Sequence, residues 1–377
     1  MLSATRPRHV GRTPAAVAAI VVSAVCASLV PAGASASAEA ETLPLGDPDL
    51  AEARTVHSLA PGVTLTRIVR GSEPAPPDEI DTTTRGPWRV HVLSIDPDKA
   101  RGQLQATYGP DLARVEKTTE LVRFAGALAG VNASFFTFTA NRQYPGDPVG
   151  LGLFGGQLLS EPAVSRDEVD LVVNARSSRV LMGHLTWSGV VRNRKTEERL
   201  PLEFLNHPPV VPAGCADLVD QTRCTHPGDL VHFPPEFAAS TPSGAGVEVV
   251  LDRVGCVVRT ATVRGTALAA GQTSLQATGR DSAALLDLTD EGCLDRNLTV
   301  VDETGETLAL RPGLFGVNGR YRLTADDEVV VPDGSGGFFG RNPRTIAGTT
   351  REGTIVLATI DGRQTTSVAP PWTRRRR

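Results

Sequence analysis

The chain lacks a basic surface pattern, and after its N-terminal region it also lacks any long apolar run. Its 377 residues carry 38 lysines and arginines against 42 aspartates and glutamates, for a formal net charge of −4. Nucleic-acid-binding domains concentrate basic residues that neutralise phosphates, so this even charge excludes nucleic acid as the expected partner. Since a spanning helix needs about 20 apolar residues, we expect no stable membrane anchor after the N-terminal region.

The first 38 residues have the three-part pattern of a secretory signal peptide. Arg6, Arg8 and Arg12 precede an apolar run over residues 15–30, and small residues follow. A basic segment, a short apolar segment and a small-residue cleavage site are the features that export machinery recognises. We therefore expect residues 1–38 to be removed and the mature protein to be secreted.

Few cysteines remain after the signal peptide, and their number is even. They are Cys215, Cys224, Cys256 and Cys293. In an exported chain, an even number of cysteines predicts disulfides. Three pairings of the four cysteines are possible. We expect Cys215 to pair with Cys224 and Cys256 to pair with Cys293, because this pairing closes the shortest loops.

A zinc site is the alternative use of the first two cysteines. Cys215 and Cys224 lie close in sequence to His226 and His232. Structural zinc sites usually contain a tight Cys-x-x-Cys pair, which is absent here, and an oxidising compartment favours the disulfide. We favour the disulfide and expect no cofactor.

Strand signals dominate the mature chain. Residues 88–92 alternate apolar and polar side chains, which is typical of a half-buried strand, and this run continues to residue 95. Residues 354–360 are mostly apolar and five of the seven are β-branched, which is typical of a buried strand. We expect an α+β fold, a strand-dominated single domain with a mixed sheet and few helices, over residues 88–366. Residues 39–87 are expected to be an N-terminal extension and linker.

Polar residues collect around the strand predicted over residues 354–360. Arg341 and Arg344 precede it, and Asp361 and Arg363 follow it. The planar guanidinium group of arginine fits pairs of phosphate or carboxylate oxygens, so this group predicts an anionic substrate. The alternative is that one or two of these arginines pair with surface carboxylates.

Two separated signatures resemble the phosphodiester glycosidase domain family. Arg-Asn-Pro-Arg-Thr at residues 341–345 and Asp-Gly-Arg-Gln at residues 361–364 look like its C-terminal half. Val-Asn-Ala-Ser-Phe-Phe at residues 131–136 is similar to its Asn-Gly-x-Phe-Phe signature, with alanine in place of glycine. Gly-Asp-Pro-Val-Gly at residues 146–150 fits its Gly-x-Pro-x-Gly element. The resemblance covers roughly residues 88–364.

The resemblance implies a hydrolase that cleaves a sugar-1-phosphodiester and releases the sugar. A sugar phosphate, an exopolysaccharide or a cell-wall glycan is the implied substrate. The implied catalytic residues are Asp361, Arg344 and Asn132. The implied substrate-binding residues are Arg341, Arg363, Thr345 and Gly150. The alternative is a secreted protein that binds such a sugar phosphate or wall polymer without turnover, because an arginine clamp alone predicts binding.

Phe135 and Phe136 follow Asn132 in the N-terminal signature. Adjacent strand residues point to opposite faces of a sheet. We expect these rings to belong to the core rather than to a sugar-binding platform, with at least one of them buried.

The last residues depart from the family pattern. The family continues with a helix and an Asn-Leu-Asp-Gly-Gly-Gly-Ser signature, whereas residues 367–377 read Ser-Val-Ala-Pro-Pro-Trp-Thr and four arginines. Adjacent prolines and four like charges suit neither a helix nor a strand. With one allowed choice of codons, a single base inserted after the codon of Val368 restores the family pattern. We expect residues 367–377 to be an out-of-frame tail, so that the final helix and glycine-rich loop are missing and this form is inactive or poorly folded.

Overall fold

The computed structural model describes residues 42–370, apart from residues 139, 166, 291, 333 and 336. The signal peptide predicted over residues 1–38 and the end of the predicted tail, residues 371–377, lie outside the described residues. The described residues from Leu43 onward form one compact unit. No helix in the described part of the chain is long and apolar enough to cross a membrane.

Strands dominate the described residues, as the sequence predicted. In chain order, the strands are β1 (Glu52–Ala60), β2 (Val63–Arg70), β3 (Trp88–Ile95), β4 (Phe135–Phe136), β5 (Pro148–Val149), β6 (Gly152–Phe154), β7 (Gln157–Ser160), β8 (Glu168–Asn174), β9 (Arg179–Gly183), β10 (Thr186–Asn193), β11 (Arg199–Leu202), β12 (Phe204–Leu205), β13 (Leu230–Phe233), β14 (Gly244–Leu251), β15 (Val257–Arg264), β16 (Thr273–Ala277), β17 (Leu294–Val301), β18 (Leu314–Arg320), β19 (Thr324–Ala325), β20 (Glu328–Val329), β21 (Arg344–Thr349) and β22 (Ile355–Ile360). The helices are α1 (Thr118–Phe124) and α2 (Asp281–Thr289), and short 3₁₀ turns cover Pro77–Glu79, Ala213–Cys215, Gln221–Arg223 and Gly337–Phe339.

Three sheets and α2 contribute to the main hydrophobic core. Their strand orders are β11-β10-β17, β12-β13-β16-β14-β15 and β7-β6-β18-β8-β9. Val247 and Val249 of β14 and Leu285 of α2 are completely buried in this core. Burying each such side chain contributes about 1.5 to 3 kcal/mol to stability. The pairing of β12 with β13 is parallel, so the second of these sheets is mixed.

Two disulfides are formed, Cys215–Cys224 and Cys256–Cys293. Of the three possible pairings of the four cysteines, this is the one with the shortest loops in total. The pairing of Cys215 with Cys224 removes two ligands of the alternative zinc site. Among the described residues, no group of three or more histidine, cysteine, aspartate or glutamate side chains is arranged to hold a metal ion.

A further five-stranded sheet carries the C-terminal signature. Its strand order is β1-β2-β3-β22-β21, and every neighbouring pair is antiparallel. Val90 on β3 lies opposite Ile360 on β22, which lies opposite Arg344 on β21. The start of β3, the end of β22 and the start of β21 therefore lie together. We call this the polar end of the sheet.

The segment predicted as an extension and linker, residues 39–87, contributes strands β1 and β2 to this sheet. Strand β2 pairs with β3 along its full length. The buried side chain of Arg70 donates hydrogen bonds to three backbone carbonyls between Leu45 and Leu50. The apolar and polar residues of β2 alternate, which is typical of a strand, but only the fold supplies its partner. The domain boundaries themselves stay a prediction.

The beginning of the predicted tail packs into the domain. Ser367, Val368 and Ala369 are buried, and Val368 belongs to a small core with Trp88. The Ser367 hydroxyl accepts a 3.0 Å hydrogen bond from the Arg89 N–H and donates a 2.9 Å bond to the Asp361 carbonyl. These contacts fix the chain that follows Asp361 against the polar end of the sheet.

Candidate active site

The two signatures meet at a hydrogen bond between their side chains. The Thr345 hydroxyl, on β21, donates to the Oδ1 atom of Asn132 at 2.5 Å. Both side chains are exposed to solvent. The contact brings the Asn-x-x-Phe-Phe segment to the polar end of the sheet.

Asn318 of β18 fixes the backbone that follows Asn132. The residue is 4% exposed. Its backbone carbonyl accepts a 3.2 Å hydrogen bond from the N–H of Ser134, and its side-chain oxygen accepts a 3.0 Å hydrogen bond from the N–H of Phe135. Its amide nitrogen donates to the Glu168 carboxylate. Gly150, implied as a substrate-binding residue, lies against Asn318, because a Cβ there would come within 2.3 Å of Nδ2. In the structure Gly150 thus makes room for Asn318.

A polar cluster covers one face of the sheet. Thr345, Thr359 and His91 lie opposite one another on β21, β22 and β3, so their side chains share a face. Asp361, two residues after Thr359, returns to that face, and its Oδ2 is 3.7 Å from His91 Nε2. The His91 and Asp361 side chains are 38% and 42% exposed. With Asn132, these residues form what we call the sheet-face cluster.

His91 was not among the site residues inferred from the sequence. Alternation along β3 places His91 and Arg89 on the face opposite to Trp88 and Val90, and the sequence alone shows this. The sequence does not show that His91 lies beside Asp361, because the pairing of β3 with β22 joins segments far apart in the chain. Sequence reasoning therefore identified Asp361 without the imidazole beside it.

Arg344 lies at the polar end but points away from the sheet-face cluster, because adjacent strand residues face opposite ways. Its Nη2 donates to the carbonyl of Gly340 at 2.9 Å and to that of Phe338. The centre of its guanidinium group is 4.9 Å from the centroid of the Phe338 ring. Arg344 therefore orders the turn Gly337–Phe339 that precedes it.

Arg341 and Arg363 line a cavity of about 650 Å³ next to this turn. Its opposite side is formed by Pro77, Ile80 and Asp81. Arg363 donates to the Asn342 side chain, and Arg341 Nη2 lies 3.4 Å from the Thr82 carbonyl. The buried Nη1 atom of Arg341 has no hydrogen-bond partner in the described part of the chain. An oxygen-rich ligand in this cavity would satisfy it.

The arginines around this cavity repel one another. Burial lowers the pKa of Arg344, and the nearby charge of Arg363 lowers it further. Burial also lowers the pKa of Arg341, although Asp81 opposes this. A bound anion would reduce both effects by offsetting the positive charge. The structure thus pairs Asn132 with Thr345 and Asp361 with His91, and it gathers Arg341, Arg344 and Arg363 around the cavity.

Arg320, at the end of β18, connects the two signatures through their aromatic rings. Its guanidinium centre lies 4.8 Å from the Phe135 ring centroid and 5.5 Å from that of Phe338, the ring that also contacts Arg344. An ion pair with Glu168 at 2.9 Å orients it. Sequence reasoning missed Arg320, which lies outside both signatures and carries no local signal.

The expectation that Phe135 or Phe136 is buried is wrong. Phe135 is half-buried beneath Arg320, and Phe136 is 46% exposed. The reason is that β4 has two residues and pairs with β5 alone, so no further strand or sheet covers its outer side.

Comparison with known proteins confirms the resemblance over the C-terminal part of the chain. Residues 245–371 match the family model described as Phosphodiester glycosidase. That range contains both halves of the C-terminal signature, whereas the Asn132 segment lies before it. Over these residues the chain resembles phosphodiester glycosidases.

A solved structure shares the fold. It is a protein of Burkholderia pseudomallei K96243 described as a "Putative exported protein", with a TM-score of 0.70 and 22% sequence identity, and the similarity covers 88% of each chain. No curated protein sequence matches the chain.

Proposed function

We propose that this protein is an exported hydrolase that cleaves the bond between the anomeric carbon of a sugar and a phosphodiester. The observation that carries the proposal is the contact between Asn132 and Thr345, on the same sheet face as the pair Asp361 and His91. The family match supports the reaction class. The two disulfides, the signal-like N-terminus and the description of the structural neighbour support export.

The arginine cavity is the proposed phosphate site. Arg341 and Arg363 line it, and Arg344 lies beside it. Guanidinium groups bind phosphate oxygens strongly because each presents several donors in one plane. Their charge also offsets the negative charge that grows on the phosphate as the bond to the sugar breaks.

The proposed chemical step is attack of water on the anomeric carbon. A new carbon–oxygen bond forms, the bond to the phosphate oxygen breaks, and the phosphomonoester leaves with the electron pair. The proton of the water passes to the Asp361 carboxylate, which His91 faces at 3.7 Å. A phosphate leaves as a stable anion, so it needs less acid assistance than the alcohol released by ordinary glycosidases, which use two carboxylates.

The test is release of sugar from the methyl phosphodiesters of N-acetylglucosamine 1-phosphate and of glucose 1-phosphate. Asp361→Asn should reduce the rate by about a hundredfold or more, the usual contribution of a general base, while substrate still binds. The matched control is Asp327→Asn, since Asp327 is an exposed carboxylate that pairs with Arg351. Binding without any sugar release by the wild type would favour the non-catalytic binding protein, or the inactive form expected from the altered residues 367–377. Absence of both would refute the proposal.

A further inference from the structure

Phe136 and Phe138 form an exposed aromatic pair. Their side chains are 46% and 59% exposed, and their rings meet edge to face with centroids 5.9 Å apart at 89°. The chain has only 11 phenylalanines. Leaving two neighbouring rings in water forgoes the stabilisation that burial would provide. Unlike a single exposed apolar side chain, two rings in contact form a continuous apolar surface that a ligand can cover.

The loop that carries this pair is held by hydrogen bonds. The N–H of Phe138 donates to the Pro145 carbonyl at 2.8 Å, and that of Thr137 donates to the Asp147 carbonyl at 3.0 Å. The Thr137 hydroxyl donates to the Tyr144 carbonyl at 2.9 Å. Because these bonds fix the backbone on both sides of the rings, a ligand would lose little affinity to ordering the loop.

The aromatic pair lies near the sheet-face cluster. Four positions separate Asn132 from Phe136, so their Cα atoms are at most about 14 Å apart. The intervening Phe135 is fixed by Arg320 and by Asn318. The pair and the proposed catalytic residues thus belong to one continuous, anchored segment.

We propose that the pair Phe136 and Phe138 binds a pyranose ring of the substrate, with the face of one ring stacked against the sugar and the perpendicular ring in contact beside it. The faces of aromatic rings carry partial negative charge, so they attract the weakly positive C–H groups on the apolar face of a sugar and disfavour a phosphate. The arginine cavity takes the anionic part. This inference rests on the proposed function and adds a sugar subsite to it.

The test compares two probes by calorimetry: the methyl phosphodiester of glucose 1-phosphate, and dimethyl phosphate, which has no sugar. Phe138→Ala and Phe136→Ala should each weaken binding of the sugar probe about tenfold, the upper range for one aromatic contact, and leave dimethyl phosphate binding unchanged. Phe138→Tyr should retain the sugar affinity. The control is Phe124→Ala, because Phe124 is 61% exposed on α1.

Three results would overturn the inference. The first is unchanged affinity for the sugar probe in both alanine variants, while the wild type still binds and hydrolyses this probe. In that case the proposed function would stand without the sugar subsite. The second is a loss of affinity for the sugar probe in Phe124→Ala as large as that in the two alanine variants. The third is a dimeric wild type that the alanine variants convert to a monomer in sedimentation experiments. If the wild type binds neither probe, the proposed function fails and this inference fails with it. Thermal unfolding verifies that every variant is folded.

Discussion

Thr345 and Asn132 are joined by a 2.5 Å hydrogen bond although 213 positions separate them in the chain. The bond unites two segments that each carry part of a family signature. It also explains why Thr345 differs in role from its neighbour Arg344, since the two side chains leave opposite faces of β21. Thr345 completes the sheet-face cluster, and Arg344 belongs with the arginines around the proposed phosphate site.

Replacing Thr345 by valine should reduce kcat/KM for a sugar phosphodiester about fivefold. The change removes the donor to Asn132, and a hydrogen bond of this kind contributes about 1 kcal/mol. The control is Thr349→Val, because Thr349 is exposed on the same face of the same strand, opposite Ile355. Equal loss in the two variants would show that the cluster does not depend on this contact.

Arg344→Ala should weaken phosphodiester binding by about ten- to a hundredfold, because a charge-assisted hydrogen bond contributes about 1.5 to 3 kcal/mol. Arg351→Ala should have no effect, since the Arg351 side chain is 75% exposed and pairs with Asp327. Titration calorimetry with a sugar phosphodiester measures both. Similar affinities for the two variants would refute the arginine clamp.

Gly150→Ala should lower the free energy of unfolding by about 2 kcal/mol or more. The residue has φ of +90°, and its new Cβ would lie 2.3 Å from Asn318 Nδ2. Gly155→Ala is the control, because Gly155 also has positive φ, +63°, but no atom lies within 4 Å of a Cβ there. Denaturant unfolding should show the larger loss at Gly150. Equal losses would mean that backbone strain alone matters and that Asn318 is not crowded.

Stability should fall as the pH rises from about 4.5 to about 7. Burial raises the pKa of Glu161 to about 7 from an ordinary value of 4.5, and that of Asp170 also to about 7. The folded protein therefore binds more protons than the unfolded chain in this window. The stabilising contribution is complete below the unfolded pKa and is lost as pH passes the folded pKa.

In Glu161→Gln the free energy of unfolding should change less with pH than in the wild type. The difference is roughly 3 kcal/mol at most, because each unit of pKa shift corresponds to about 1.36 kcal/mol. Glutamine resembles the protonated carboxyl group, so the variant keeps the low-pH stability at neutral pH. Unfolding is measured by urea titration at pH 4.5, 6 and 8, with Glu306→Gln as the exposed control. Because burial lowers the pKa of His232 and gives an opposing pH dependence, the decisive comparison is between variant and wild type, and an identical pH dependence in both would contradict the assignment.

Removing the Cys256–Cys293 disulfide should destabilise the protein more than removing Cys215–Cys224. The first links positions 37 apart and the second positions 9 apart, and the longer loop restricts the unfolded chain more. Each pair of serine substitutions should cost about 2 to 4 kcal/mol, with a difference of about 1 kcal/mol between them. Thermal unfolding of the two double variants measures the order, and the reverse order would contradict the loop-length argument.

The residues of the C-terminal signature could be found from sequence because their signals are local. A β-branched run ending in Asp361-Gly362 identifies a strand and its turn, and arginines on both sides indicate an anion. The partners of these residues could not be found in this way. His91 comes from a strand more than 260 positions earlier, and Arg320 acts through Phe135 and Phe338, which belong to different segments.

The sequence by itself determined the strand-dominated class, the even number of cysteines that predicts disulfides, and the residue types at the ends of the strand that precedes Asp361. These follow from patterns within a few residues, such as alternation, turns and spacing. Only the tertiary structure decided that Thr345 and Asp361 share a face with His91, that Arg344 lies on the other side, and that Phe136 stays exposed. Those outcomes depend on which distant strands pair and in which register, and that choice is made by packing across the whole domain rather than by any local segment.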